Sequence, residues 1–206
     1  ILLDHTLIFH QISNRCKSAG FNYILGAIDQ PARCIRGQPF NETHFDKRIL
    51  YVTHDVTSLL QSGNNAIAAV LGNAWYNVQS VAVWDFEKAR WRNRPSMLCE
   101  LRITFSDGSV QVIPSDNTWR TAVGPYTYNN IYSGDKYDAG LKEIGWNNAG
   151  FDDSSWQNAT AVQAPASVLT AQTMPGIHIT EELKPVKVVA FSNKDYVFSF
   201  AKNFAG

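Results

Sequence analysis

Three pairs of carboxylates could do acid–base or metal chemistry. They are Asp135 and Asp138 in Tyr132-Ser133-Gly134-Asp135-Lys136-Tyr137-Asp138, Asp152 and Asp153 in Gly150-Phe151-Asp152-Asp153-Ser154-Ser155-Trp156, and Glu181 with Glu182. Hydrolysis of a glycosidic bond needs two carboxyl groups about 5–9.5 Å apart. Adjacent residues of extended chain point to opposite faces, so an Asp of the Asp152-Asp153 pair is expected to cap a short helical turn, and Glu181-Glu182 to be solvated. Asp135 and Asp138 are the best-placed pair for a ligand, and their hard oxygens suit calcium. The histidines (His5, His10, His44, His54 and His178) contain no i, i+4 pair that would place two imidazoles on one metal. No nucleophile elbow, H-E-x-x-H, G-x-G-x-x-G or phosphate-binding loop occurs. The chemistry legible here is binding, not bond cleavage.

Two stretches could bind. In Leu71-Gly72-Asn73-Ala74-Trp75-Tyr76 a strand runs into a turn carrying two large aromatic rings beside an amide. The C–H face of a pyranose packs on such rings while its hydroxyls take hydrogen bonds; closure of the end of the core is the alternative use for Trp75 and Tyr76. Lys88, Arg90, Arg92 and Arg94 alternate around Trp91, so on a strand the four cations would share a face, either as the solvated side of a hairpin arm or as a nucleic-acid contact. The 18 basic and 18 acidic residues cancel, leaving no global field to steer nucleic acid or an anionic membrane, so neither is an expected partner. Cys16, Cys34 and Cys99 are an odd set without a C-x-x-C pair, which implies neither a disulfide framework nor a zinc ribbon.

The elements that must position these residues are strands. Arg48-Ile49-Leu50-Tyr51-Val52-Thr53 has β-branched and aromatic enrichment; residues 55–63 read as one or two helical turns with Asp55 or Thr57 as N-cap and Gly63 as the stop; residues 66–71 form another strand. Residues 97–105 and 110–114 flank Ser106-Asp107-Gly108-Ser109, a strong hairpin signal. Residues 186–191 and 196–200 form a further pair. No window sustains a helical apolar stripe over four turns, and the expected fold is all-β, a jelly-roll-like β-sandwich with a few short helical turns. A chain of 206 residues can bury roughly 70% of its unfolded surface. With 6 Trp, 8 Tyr and 11 Phe it suits both strands and a carbohydrate face. The apolar start has no basic leader region or small-residue cleavage site, and no apolar run approaches the ~20 residues of a membrane span. The expected organisation is an unassigned segment 1–21, a sandwich over 22–165, and a linker with the first strands of a following β-domain over 166–206.

The ordered series Lys47-Arg48-Ile49-Leu50-Tyr51-Val52-Thr53-His54-Asp55-Val56-Thr57, Leu71-Gly72-Asn73-Ala74-Trp75-Tyr76, Ser115-Asp116-Asn117-Thr118-Trp119, Asn130-Ile131-Tyr132-Ser133-Gly134-Asp135-Lys136-Tyr137-Asp138-Ala139 and Gly150-Phe151-Asp152-Asp153-Ser154-Ser155-Trp156 resembles the N-terminal domain of bacterial α-L-rhamnosidases, glycoside hydrolase family 78. The resemblance covers roughly residues 22–206. It implies a non-catalytic β-sandwich of an inverting enzyme that hydrolyses terminal α-L-rhamnosyl linkages, its bond-breaking carboxylates lying on a separate (α/α)₆ barrel. The implied partners are that catalytic barrel and rhamnose-containing glycans, and the implied location is the periplasm or the cell exterior. Some relatives hold rhamnose through a calcium ion at one edge of the sandwich. Carried over, this makes Asn41, Glu42, Asn93 and the Pro95 carbonyl the oxygen donors, with Trp75 or Trp91 as platform; calcium is the cofactor to test, with Asp135 and Asp138 as further ligand candidates. Gly134-Asp135 stands where the family usually has Gly-Glu, Gly140 where Arg is common, and the 35–46 stretch is abbreviated. A stand-alone lectin-like module and a purely structural spacer are the other readings.

Overall fold

The computed structural model describes residues 6–14, 19–22, 45–81, 85–130, 132–164, 168–173 and 181–204. The architecture is all-β. Its strands are β1 (Thr6–Asn14), β2 (Ala19–Asn22), β3 (Ile49–Tyr51), β4 (Gly63–Val70), β5 (Glu100–Phe105), β6 (Val110–Pro114), β7 (Arg120–Val123), β8 (Tyr126–Asn130), β9 (Gly134–Tyr137), β10 (Gln157–Asn158), β11 (Leu169–Ala171), β12 (Lys187–Ala190) and β13 (Tyr196–Ser199). Single 3₁₀ turns at Thr57–Leu59, Phe86–Lys88 and Ala139–Leu141 are the helical elements among the described residues.

Two sheets carry the core. The larger runs β10-β7-β1-β4 and the smaller β2-β5-β6, each antiparallel throughout. Within β5, Leu101 and Ile103 are buried while Arg102 and Thr104 face out; this alternation is what one buried face requires. Leu101, Ile103 and Cys99 meet Ile67 of β4, with Val56 and Trp119, in one buried cluster. The sheets therefore face each other across these side chains. The indole N–H of Trp119 donates to the Pro114 carbonyl at 3.2 Å, so the ring is buried without an orphaned donor.

The β5–β6 hairpin forms as its Asp-Gly signal dictates. Gly108 takes φ +82°, which a side chain would resist, and its N–H donates to the Phe105 carbonyl at 2.9 Å. The Asp107 carboxylate accepts from both the N–H (2.8 Å) and the hydroxyl (2.6 Å) of Ser109. The same local device recurs where Asp55 accepts from Thr57 and Asp116 from Thr118, and Asp152 accepts the Ser154 N–H. These are Asx-type turns, in which a short carboxylate replaces a backbone acceptor.

Three expectations need correction. The 55–63 stretch makes only the 3₁₀ turn Thr57–Leu59, and Gly63, at φ +95°, opens β4 rather than ending a helix. Asn65 is the cause: it accepts the Gln61 N–H and donates to the Gln61 and Gly63 carbonyls, closing the turn side-on. The Lys88–Arg94 segment is not a strand. Phe86–Lys88 is a 3₁₀ turn, Arg92 N–H donates to the Ala89 carbonyl, and the Lys88 ammonium lies 2.8 Å from Asp85, so the cations do not share a pleated face. Finally, the stretch left unassigned by sequence supplies β1, which lies between β4 and β7.

Inside the expected linker, β11 pairs with β3 in parallel as a separate two-stranded sheet, flanked by Ile49 N–H to Val168 carbonyl (2.8 Å) and Gln172 N–H to Tyr51 carbonyl (2.9 Å). β12 and β13 pair with each other, and every residue of both is exposed.

Two outcomes follow. Leu101→Ala removes a side chain with 0% exposure and lowers unfolding free energy in urea titration by about 3 kcal/mol, whereas Val110→Ala on the exposed side of the hairpin changes it by less than about 1 kcal/mol. The hydroxyl and N–H donors of Thr57, Ser109 and Ser154 hold Asp55, Asp107 and Asp152 below the usual carboxylate range. Because the folded values are depressed, their contribution is present above the ordinary carboxylate value and disappears as pH falls through the folded ones. The denaturation midpoint is thus expected to drop below about pH 4, and to drop less steeply in an Asp107→Asn, Asp152→Asn double variant.

Candidate functional site

The turn that follows β4 is the organising feature of the candidate site. Asn73 is completely buried and Asn77 nearly so, although both carry amides that cost free energy when unpaired. Asn77 N–H donates to the Asn73 carbonyl at 2.9 Å, and its side-chain amide donates to Asn73 Oδ1 at 2.8 Å. Asn73 is clamped in turn to β8. Its N–H donates to Asn129 Oδ1 at 2.9 Å, and its Nδ2 to the Asn129 carbonyl at 3.0 Å. A Cβ on Gly72 would lie 3.0 Å from Asn129 Oδ1, so a side chain there would push the Asn129 amide away from its bond with Asn73 by a few tenths of an ångström. Ala74 takes φ 41°, a left-handed conformation that a non-glycine residue keeps only when its surroundings enforce it.

This turn sends two aromatic residues in different directions. Trp75 packs on Phe86 (5.0 Å between centroids) and edge-on to Tyr132 (5.5 Å). Tyr76 meets Phe45 at 5.2 Å, and Phe45 meets Trp91 at 6.2 Å. Burial pushes the Tyr76 phenol up, opposed by a hydrogen bond with Ser96. That bond brings the 93–96 segment to the same turn. Trp75, Trp91 and Pro95 are half-buried and Asn93 is exposed. Trp75 is thus part of the turn, Trp91 is linked to it through Phe45 and Tyr76, and Pro95 directly precedes the Ser96 that bonds Tyr76.

Asp135 joins them through β8. It lies opposite Asn129 in the β8–β9 ribbon and accepts from Asn129 Nδ2 at 2.5 Å. Asp138 does not join. Three residues along extended chain is about 10 Å and reverses the side-chain direction, and the Asp138 carboxylate caps the Ala139–Leu141 turn by accepting the Gly140 N–H at 2.9 Å. The two aspartates read together in the sequence are thus divided between opposite ends of a ribbon. Asn93 Oδ1 accepts the Arg94 N–H at 2.8 Å. Asn41 and Glu42 lie outside the described residues, as do Cys16, Cys34, His5, His44 and His178. Among the described residues no group of three or more His, Cys, Asp or Glu could hold a metal ion, and no helix is long and apolar enough to cross a membrane.

The remaining acidic motifs are structural. Asp152 accepts from Ser154, Asp153 closes a turn with the Trp156 N–H, and Glu143 accepts the Trp156 indole N–H at 3.0 Å. Asn129, Phe45, Phe86, Tyr132 and Ser96 were not singled out by sequence. Asn129 lies 56 residues from Asn73, and no local spacing links them. The legible hint was Asn73 and Asn77 four apart in an otherwise apolar, aromatic turn.

Asn73→Ala removes two buried side-chain hydrogen bonds. It is expected to cost about 2 kcal/mol in chemical denaturation and to red-shift tryptophan emission by opening the packing around Trp75.

Comparison with known proteins assigns the fold. The α-L-rhamnosidase N-terminal domain family matches residues 39–181. A curated α-L-rhamnosidase of Formosa agariphila is 33% identical over 168 residues, 80% of this chain and 17% of that protein. One of Streptomyces avermitilis is 32% identical over 166 residues, 80% of this chain and 16% of that protein. Among solved structures, an α-L-rhamnosidase from Dictyoglumus thermophilum matches with TM-score 0.76 at 29% identity, covering 98% of this chain and 22% of that one. The Streptomyces avermitilis α-L-rhamnosidase complexed with L-rhamnose matches with TM-score 0.76 at 28% identity, covering 92% and 19%. The chain thus spans about one fifth of the length of these relatives. With a β-sandwich core, the aromatic turn after β4 and a family match over residues 39–181, this chain belongs to the α-L-rhamnosidase N-terminal domain family.

Proposed function

We propose that this chain is a non-catalytic module of an α-L-rhamnosidase, an inverting glycoside hydrolase acting on terminal α-L-rhamnosyl linkages in the periplasm or outside the cell, and that it contacts sugar at the turn after β4. The observation that carries this reading is one amide-clamped turn that presents half-buried Trp75 on one side and Tyr76 on the other, with half-buried Trp91 reached from Tyr76 through Phe45. Partly exposed indole rings offer a flat apolar surface to the C–H face of a pyranose. Amides held by backbone partners offer fixed donors and acceptors to its hydroxyls. Relatives with the same fold are whole α-L-rhamnosidases, one of them solved with L-rhamnose.

Asp138 is engaged as a turn cap, no group of three or more His, Cys, Asp or Glu among the described residues could hold an ion, and Asn41 and Glu42 lie outside those residues. Of the candidates within them, calcium would draw on the Asn93 carboxamide and the Pro95 carbonyl. It would supply a hard positive charge for sugar hydroxyls to coordinate. A second reading, a spacer that only positions the catalytic barrel, is favoured by one observation. Val186, Val188, Phe191, Tyr196 and Phe198 of the β12–β13 hairpin and its flanks are all more than half exposed, an apolar surface suited to packing against the remainder of an enzyme.

Isothermal titration of the purified chain with L-rhamnose, with and without EDTA, separates the readings. Saturable binding that Trp75→Ala or Trp91→Ala weakens about tenfold supports the sugar-contacting module, and loss in EDTA assigns the calcium. Absence of heat at millimolar sugar supports the spacer. Release of rhamnose from a chromogenic α-L-rhamnoside by this chain alone would overturn the non-catalytic assignment.

A further inference from the structure

We infer that Asp135 is a positioning residue for the Trp75 step, acting through the side-chain amide of Asn129; the link to sugar affinity rests on the sugar-contacting reading above, the link to Trp75 does not. An asparagine amide can be turned either way about its last bond, and its neighbours decide which end is oxygen. The backbone N–H of Asn73 can only donate, and it faces one end of the Asn129 amide at 2.9 Å. An ionised carboxylate can only accept, and Asp135 faces the other end at 2.5 Å. The two partners impose the same orientation. With Asp135 taking Nδ2, Asn129 must present Oδ1 to the turn. Charge assistance makes the carboxylate contact the stronger of the two, so the surface anion reinforces the polarity that the Asn73 N–H also requires.

The relay ends at one of the two described non-glycine residues held at positive φ. Asn73 directly precedes Ala74, whose φ of 41° is left-handed, and Ala74 directly precedes Trp75. Held by Asn129 at its N–H and its Nδ2, and by Asn77 at Oδ1, the Asn73 peptide cannot rotate to relieve that strain. Freed of Asp135, the Asn129 amide keeps the Asn73 N–H as its orienting partner but loses its anchor at Nδ2 and gains freedom about its last bond. The acceptor of the strained peptide is then held less firmly. The Trp75 ring, wedged between Phe86 and Tyr132, moves with it. Asp135 lies on an exposed strand whose residues are all solvent-accessible, so its loss leaves the core cluster of Leu101, Ile103 and Trp119 untouched.

The test uses the full chain labelled with 5-fluorotryptophan, the Trp75 resonance being assigned from Trp75→Phe. In Asp135→Ala the Trp75 fluorine signal is expected to shift or broaden while those of Trp119 and Trp156 stay in place. L-Rhamnose affinity is expected to fall about tenfold. Asp135→Asn, which can still present an oxygen to Asn129 Nδ2, restores the Trp75 signal and keeps affinity within about threefold of wild type. A Trp75 signal unchanged in Asp135→Ala overturns the proposal, as does movement of all the tryptophan signals together. If the wild-type chain binds no L-rhamnose, the sugar reading fails by itself, and the fluorine spectra still decide the role of Asp135.

Discussion

β4 is covered on both faces, and the rest of the molecule is arranged around that fact. Its residues alternate without a polar face: Asn65, Ile67 and Ala69 are buried on one side, and Ala66, Ala68 and Val70 are half-buried on the other. Ile67 joins the cluster shared with β5 and Trp119. The opposite side packs under Trp156, with Trp146, Phe151 and Ala122 around it. A strand enclosed on both faces must be narrow as well as apolar, because two layers of side chains have to approach it at native packing density. Alanine at three of its positions meets that demand, and the large tryptophans supply the volume from outside. The same packing delivers the end of β4 into the aromatic turn, so core and candidate site share one strand.

Where the chain leaves β4 it changes its means of cohesion from apolar packing to amide pairing. Asn73, Asn77 and Asn130 are buried and Asn129 is half-buried; Asn73 is bonded to Asn129 across segments and to Asn77 within its own turn, and Asn130 Oδ1 accepts the N–H groups of Tyr132 and Ser133. Buried neutral amides avoid the desolvation cost of charge while still demanding directional partners. That directionality lets a turn with a left-handed alanine hold two aromatic rings at defined angles. It also explains why the carboxylate in the network, Asp135, sits at the exposed end: an anion there keeps its hydration and still fixes the orientation of the first amide.

Local chemistry carried much of the fold into view. The Asp-Gly hairpin, the strand at Ile49–Tyr51 and the exposed pair β12–β13 all depend on residues within a few positions of one another, and such interactions survive without knowledge of the rest of the chain. The misreadings share a cause as well. The turn ending at Leu59 was overextended because Asn65, beyond its end, closes it. The basic segment was read as strand-like because alternation of Lys88, Arg90, Arg92 and Arg94 says nothing about whether a neighbouring strand exists to pair with it.

Sequence alone determined the class of the fold, the family and the hairpin around Asp107-Gly108, since each rests on residue type and short spacing. Tertiary structure alone decided three things: that β1 lies between β4 and β7, that Phe45 links Trp91 to Tyr76, and that Asp135 and Asp138 part company. Those depend on which distant backbone comes within hydrogen-bonding distance. Asn129 reaching Asn73 across 56 residues is set by how the two sheets close on their shared core, and no periodicity in the chain encodes that distance.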